Sequence, residues 1–420
     1  MSKNIYDQLY NVMHSSIDLG ILHLTTDNKG FTENTVSFNN KEYFNFALCD
    51  YLNLSQDERL KQGAIRAIEQ YGVCTTVSKS YIKLELYQEA EAILSDVFQY
   101  PTVLFARSTL AHIGVLPVVV NSNDAVLIDH QAHESIHTAY KLLVAQGIHC
   151  ESIKHNRTDI LEDKIRELQT KYDNIWYLAD SVYSMYGDTL PFDEIKVLLE
   201  KYDSFHLYVD DAHGISWDGV NGSGFLLAHL AYHPRMVVIA SLVKGFGAGG
   251  GVAICYDEKM RDRIVTCAAP LIFSSPVCPP TLGAIIESSK IHLSAEINER
   301  QEQLAERMNL FTSTANQLNL PVISDSMVPI TFIATGKPDM CQEICVKVYE
   351  KGFYINAAHY PAVPINNSGI RALISLHQKP EDIVNMLQAV KEVYDNALER
   401  RNLSMHDITK FYKLPKQIVK

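Results

Sequence analysis

At 420 residues, 47% of them hydrophobic, the chain has material for one large domain with an appendage or for two to three domains. Its 37 lysines and arginines face 49 aspartates and glutamates, a net charge of −12, and no long basic run offsets that balance. Nucleic acid and anionic membrane are therefore excluded as expected partners.

In chain order, the opening MSKNIYDQLYNVMHSSIDLG lacks the unbroken apolar core of a signal peptide, and no later run approaches a membrane span. A cytoplasmic protein is expected. Residues 1–45 read as an N-terminal segment and 46–290 as a large domain. Its predicted strands are TVLFA (102–106), AVLID (125–129), NIWYLA (174–179), HLYVDD (206–211), MVVIA (236–240) and GVAIC (251–255). Helical patterns at 134–146, 158–171 and 192–201 separate several of them. Strand–helix alternation of this kind predicts an α/β fold with a mainly parallel central sheet covered on both faces. From 281 to 317 the pattern is long, charged and helical. It connects to a smaller C-terminal α+β domain, 291–398, with VPITFIA, a helix 338–351, IRALISL and a helix 380–398. Residues 399–420 read as a tail or packing helix. Eight cysteines are scattered, and only Cys341 and Cys345 lie close, four apart on an expected helix. With no second pair or matching histidines, they read as reduced, mostly buried thiols and no metal site is expected.

In open α/β sheets ligands sit beyond the carboxyl ends of the strands. Here those ends carry chemistry. AVLID is followed by His130 and His133, and NIWYLA by DSVYSMYGD with Ser184. HLYVDD ends in Asp210 and Asp211, then Ala212-His213-Gly214. MVVIA runs into SLVKGFGAGGG, with Ser241 and Lys244. A lysine, a carboxylate, an aromatic ring and hydroxyls at strand ends are what pyridoxal phosphate needs. The amine forms a Schiff base, the carboxylate keeps the pyridine nitrogen protonated, a ring stacks, and hydroxyls with backbone N–H groups hold the phosphate.

DDAHG, SLVKGFGAGGG, SVYSMYGD and IDHQAHESI together resemble the motifs of the α-oxoamine synthases, a family of fold-type I pyridoxal phosphate enzymes. The similarity spans about Phe44 to Leu398. It implies Lys244 as the Schiff-base lysine, Asp210 as the pyridine-nitrogen partner and His133 as the stacking ring. It places His213 and Ser184 near the phenolic oxygen and Ser241 on the phosphate. It also implies a homodimer in which Ser274 and Ser275 reach the other subunit's phosphate. The reaction implied is decarboxylative condensation of an amino acid with an acyl thioester, on coenzyme A or acyl carrier protein, to an α-amino ketone. Lys244 would remove the α-proton, and His213 would polarise the thioester carbonyl.

The sequence departs from the family in places. CTTVSKSYIK (74–83) lacks the family's glycines, and RSTLAH (107–112) puts Ser108 and Thr109 where a glycine–aromatic pair meets the phosphate. Cys49 replaces a substrate-side asparagine. His359, in HYPAVP, stands where relatives have Arg or Asn, and Arg371 matches the second arginine of the family's "RLRI". Arg371, His359 and Cys49 are the substrate-side candidates. Three other readings compete. An aminotransferase or aldolase of the same fold would keep the cofactor, and a silent partner subunit is opposed by Lys244. The third is a zinc hydrolase, from HESIH (133–137), which would put Glu134 as base between two histidine ligands. Asp211 reads as a helix N-cap, and the glycines after Lys244 as room for the cofactor and a dimer partner.

Overall fold

Two kinds of strand build this chain, polar alternating ones near its N-terminus and continuous apolar ones in its middle. The computed structural model describes residues 5–31, 34–324, 327–410 and 412. Its residues divide into two compact units. The first holds Met1–Tyr51, Ser184–Asp188 and Glu302–Lys420; the second holds Leu52–Tyr183 and Thr189–Gln301.

The first unit begins with the helix Ile5–Asp18 and three strands, β1 (Thr26–Phe31), β2 (Thr35–Phe38) and β3 (Lys41–Asn45). Asn39 and Asn40 join β2 to β3 with φ of 52° and 59°. That two-residue left-handed turn matches the strand twist and is one asparagine tolerates.

The second unit carries the seven-stranded sheet: β4 (Thr102–Phe105), β5 (Ala125–Asp129), β6 (His149–Ile153), β7 (Ile175–Asp180), β8 (Phe205–Asp210), β9 (Met236–Ser241) and β10 (Gly251–Ile254). Their order is β4-β10-β9-β8-β7-β5-β6. The run from β9 to β6 is parallel, and β10 pairs antiparallel with both β4 and β9. Period-two alternation sends Leu127, Leu207 and Val238 into one core layer and Val126, Tyr208 and Val237 into the other. Both faces are buried, which is why these strands read as unbroken apolar runs.

Back in the first unit, β11 (Ile330–Gly336), β12 (Phe353–Tyr354), β13 (Asn356–Ala358) and β14 (Ser368–Leu373) follow. The order β11-β14-β13 makes a three-stranded antiparallel sheet, while β12 pairs parallel with β3. The N-terminal strands thus share a sheet with a strand more than 300 residues later. The helical stretch expected over 281–317 is two helices, Pro279–His292 and Glu296–Gln317. Leu293 N–H closes on Ser289 O at 3.0 Å where the first ends. Near the C-terminus, the helix Met405–Thr409 precedes Tyr412, whose hydroxyl accepts from Thr335 N and Gly336 N at 3.1 and 2.9 Å. The rest of the expected tail, 411 and 413–420, lies outside the described residues. Among the described residues no helix is long and apolar enough to cross a membrane.

Candidate active site

The carboxyl ends of β7, β8 and β9 and the loop from β9 to β10 surround a cavity of about 140 Å³. Its lining includes Ser108, His133, Asp180, Asp210, His213, Ser241 and Lys244. Six of these were singled out from sequence; Asp180 was not.

Lys244 sits in the β9–β10 loop, tied at its base by Leu242 N–H to Gly250 O, 3.1 Å, and by Gly247 N–H to Lys244 O, 3.0 Å. The glycines of this loop have an internal reason that the sequence reading did not supply. A Cβ on Gly251 would run into the backbone of Arg107 and Ser108, and one on Gly247, at φ +72°, would meet Leu54. The glycine-rich run lets β10 lie directly against the start of the helix Ser108–Val119. That helix presents Ser108 and its own N-terminus to the cavity.

Asp210 ends β8 with both carboxylate oxygens held. Oδ1 accepts Ala212 N–H at 2.8 Å, and Oδ2 lies 2.9 Å from His112 Nε2. Burial alone would raise its pKa. The His112 ring and then the Lys244 charge outweigh that and bring it down to about 2. Its neighbour in the sheet register is Asp180 at the end of β7. Burial and then the Asp210 charge push Asp180 well above the ordinary carboxyl range, although His133 N–H donates to its Oδ1 at 3.1 Å. Two carboxyls side by side thus have opposite states, one ionised and one protonated.

His133 caps the helix Glu134–Ala145, its Nδ1 accepting from Ser135 N–H. Burial lowers its pKa, so the ring facing the cavity is neutral. This disposes of the zinc-hydrolase reading of HESIH. His133 stands outside the helix as its cap, and the would-be base Glu134 is an exposed surface group paired to Lys141 Nζ at 2.8 Å. His213 is buried, and its carbonyl accepts Trp217 Nε1–H at 2.6 Å. Asp211 is no cap of a helix following β8, since a turn follows there. It is fully buried, and Ser181 Oγ donates to its Oδ1. Burial drives it up to about 8, with Ser181 and the Leu226 N–H opposing.

The remaining candidates lie elsewhere. Thr109 is exposed and outside the cavity lining. Ser274 and Ser275 follow the helix Ala269–Phe273, and Ser275 borders a separate space of about 10 Å³ with Lys79 and Tyr87. Within one chain, then, neither lines the Lys244 cavity. Ser184, Arg371, His359 and Cys49 belong to the first unit. Arg371 on β14 donates from Nε to Ser184 O at 2.6 Å, and Cys49 is hydrogen-bonded to Tyr51. His359 is buried with both ring nitrogens engaged, Nε2 to Ser16 Oγ at 2.8 Å and Nδ1 to Tyr360 O at 2.9 Å. That ring is spent on packing the N-terminal helix, which leaves no ring nitrogen for a substrate. His112 is the functional neighbour that sequence reasoning passed over. The only signal was its spacing, four residues after Ser108 on an apolar helix.

The donor set fits pyridoxal phosphate. An ionised buried carboxylate, a neutral histidine ring, an amine and a helix N-terminus with hydroxyls all face one cavity. Comparison with known proteins agrees. The family model for aminotransferase class I and II matches residues 41–390. An 8-amino-7-oxononanoate synthase of Thermosipho melanesiensis is 30% identical over 359 residues, 84% of this chain and 88% of the relative. One of Alkaliphilus metalliredigens is 28% identical, covering 87% and 91%. Among solved structures, a serine palmitoyltransferase from S. paucimobilis with bound PLP–myriocin aldimine superposes with a TM-score of 0.83 at 18% identity, covering 94% of this chain and 99% of the other. An 8-amino-7-oxononanoate synthase from Francisella tularensis gives 0.70 at 20%, covering 84% and 98%. At those identities the structures speak for the fold, fold-type I, and the sequence matches speak for kinship. The chain belongs to the aminotransferase class I and II family, and within it to the α-oxoamine synthases, acyltransferases whose cofactor is pyridoxal 5'-phosphate.

Proposed function

We propose that this enzyme joins the α-carbon of an amino acid to the acyl carbon of a thioester. The carboxylate leaves as CO2, the thiol leaves with a proton, and the product is an α-amino ketone. The observation that carries the reading is the convergence of Lys244, Asp210, His133 and His213 on one cavity. When bound, the cofactor supplies an electron sink for charge at the amino acid's α-carbon. Lys244 Nζ is the amine that holds the cofactor and then carries the α-proton. The ionised Asp210 carboxylate would hold the cofactor's pyridine nitrogen protonated. The neutral His133 ring supplies a flat, uncharged surface for the cofactor ring. His213 orients the thioester carbonyl, which a buried, preformed polar group does without reorganising. Ser108 and Ser241, with the N–H groups opening the helix Ser108–Val119, hold the phosphate.

For the amino acid's carboxylate we assign Arg371, whose Nε bond to Ser184 O fixes the plane of its fork. Ser274 and Ser275 are assigned to the phosphate of a partner subunit in a homodimer, because neither faces the cavity of its own chain. The donor is a thioester of coenzyme A or acyl carrier protein.

The test supplies a panel of carboxyl-labelled amino acids with acyl thioesters. Labelled CO2 and free thiol should appear in equal amounts. His213→Ala should keep the cofactor and lose the condensation. A keto acid formed without thiol release across the donor panel would make the protein an aminotransferase instead.

A further inference from the structure

Asp210 does not stand alone at the end of β8. His112, fully buried in the helix Ser108–Val119, places Nε2 2.9 Å from Asp210 Oδ2 and Nδ1 2.9 Å from the Tyr208 hydroxyl. Tyr208 lies two residues before Asp210 on the same strand, so the pleat puts both side chains on one face, beneath that helix. The Tyr208 ring is fully buried as well. The ionised Asp210 carboxylate can only accept, so His112 faces it with Nε2–H, and a ring carrying its proton there offers Nδ1 to the Tyr208 O–H, which burial and then the Asp210 charge keep protonated. With Nδ1 accepting, the ring proton sits on Nε2 and points at the carboxylate. The order that satisfies both distances is Tyr208 O–H to Nδ1, then Nε2–H to Oδ2. The other charged and titratable groups acting on Asp210 are Lys244 and His133, with Asp180 alongside.

We propose that His112 is a positioning residue that orients the Asp210 carboxylate and holds it ionised, with Tyr208 selecting the tautomer that makes this possible. His112 is not among the residues lining the cavity; it acts through Asp210, and the proposal rests on the reading that Asp210 serves the pyridine nitrogen.

The test uses holoenzyme reconstituted with pyridoxal phosphate and reads two quantities, cofactor affinity and the pH midpoint of the visible absorption change. His112→Ala should weaken affinity on the order of 10- to 100-fold, as loss of a hydrogen bond to a buried charge does. It should also move the midpoint by at least about half a pH unit. His112→Gln, whose amide nitrogen reaches where Nε2 sits, should recover most of both. Tyr208→Phe should move the midpoint in the same direction by less, and add nothing in the His112→Ala background. Equal midpoints in wild type, His112→Ala and Tyr208→Phe overturn the proposal, as does a Gln variant no better than Ala. Should His112→Ala not fold, Tyr208→Phe decides, since it removes one hydroxyl; an unmoved midpoint overturns the relay. Asp210→Asn separates the two levels. If it leaves affinity and midpoint untouched, the parent reading of Asp210 fails. If it changes them while the His112 and Tyr208 variants do not, the relay alone fails.

Discussion

Replacing Asp211 by asparagine should flatten the pH dependence of stability in the unit that carries the large sheet. The Asp211 side chain has no solvent exposure, and a Cβ on Gly214 or Gly224 would collide with its carboxyl oxygens, so there is no room for water to solvate a charge. Burial, against the opposition of Ser181 and the Leu226 N–H, raises the carboxyl from 3.8 to about 8. Below pH 3.8 folded and unfolded chains both hold this proton and the effect vanishes. Between 3.8 and 8 the unfolded chain has released it and the folded chain has not. The native state then binds more protons, and stability falls as pH rises. Above 8 the loss levels off. Its full size is on the order of 5 kcal/mol, a large share of a typical stability of about 5–15 kcal/mol. Asparagine has the shape of the protonated acid and cannot ionise. Urea unfolding followed by Trp fluorescence suits the case, because both tryptophans, Trp176 and Trp217, belong to this unit. At pH 5.5 wild type should already be about 2 kcal/mol less stable than Asp211→Asn, and from there to pH 9 it should lose about 3 kcal/mol more than the variant. Curves that stay parallel within about 0.5 kcal/mol would refute the argument that this carboxyl is held protonated.

Three further outcomes are expected. Borohydride reduction of the holoenzyme should fix the cofactor to the peptide containing Lys244, and Lys244→Ala should abolish the labelling; a labelled peptide elsewhere would displace Lys244 from its role. Mixing Lys244→Ala with Ser275→Ala subunits should restore part of the activity, because one hybrid site then has both groups intact; no recovery after subunit exchange would exclude the assignment of Ser275 to the partner's site. His359→Ala should lower stability by about 1–3 kcal/mol, through the Ser16 hydroxyl left buried without its acceptor, and thermal unfolding measures it; a variant as stable as wild type but with raised KM for the amino acid would return His359 to the substrate.

The large sheet was readable because its central strands are buried on both faces and therefore apolar from end to end. The edge strand β6, HCESI, escaped notice because only Ile153 in it is buried. The polar strands β1 to β3 gave no apolar run either, and β3 finds its second neighbour only in β12. At the cavity, residues with distinctive chemistry at strand ends were legible from position alone. Asp180 was not, since a single acid closing an apolar strand reads as a turn residue. His112 reads as core, and becomes something else only when β8 places Asp210 and Tyr208 beneath it. The bond between His359 and Ser16 spans 343 residues, a distance that no local pattern reports.

The position of β10 governs when this cavity can come into being. β10 is the last strand of its sheet in the chain, yet it lies inside it, flanked by β4 on one side and β9 on the other. Gly251 pairs with Phe105 and with Ser241 at once, so this one residue sets the spacing between Ser108, which opens the helix after β4, and Lys244, in the loop after β9. Until β10 has slid between those two strands, the amine and the phosphate-facing helix start have no fixed separation. A nascent chain ending before Ile254 therefore holds every cavity-lining side chain and still has no site. Insertion between two strands already laid down is a long-range event and belongs among the slow steps of folding. Uptake of cofactor from solution, visible as colour, then times the closing of the sheet itself.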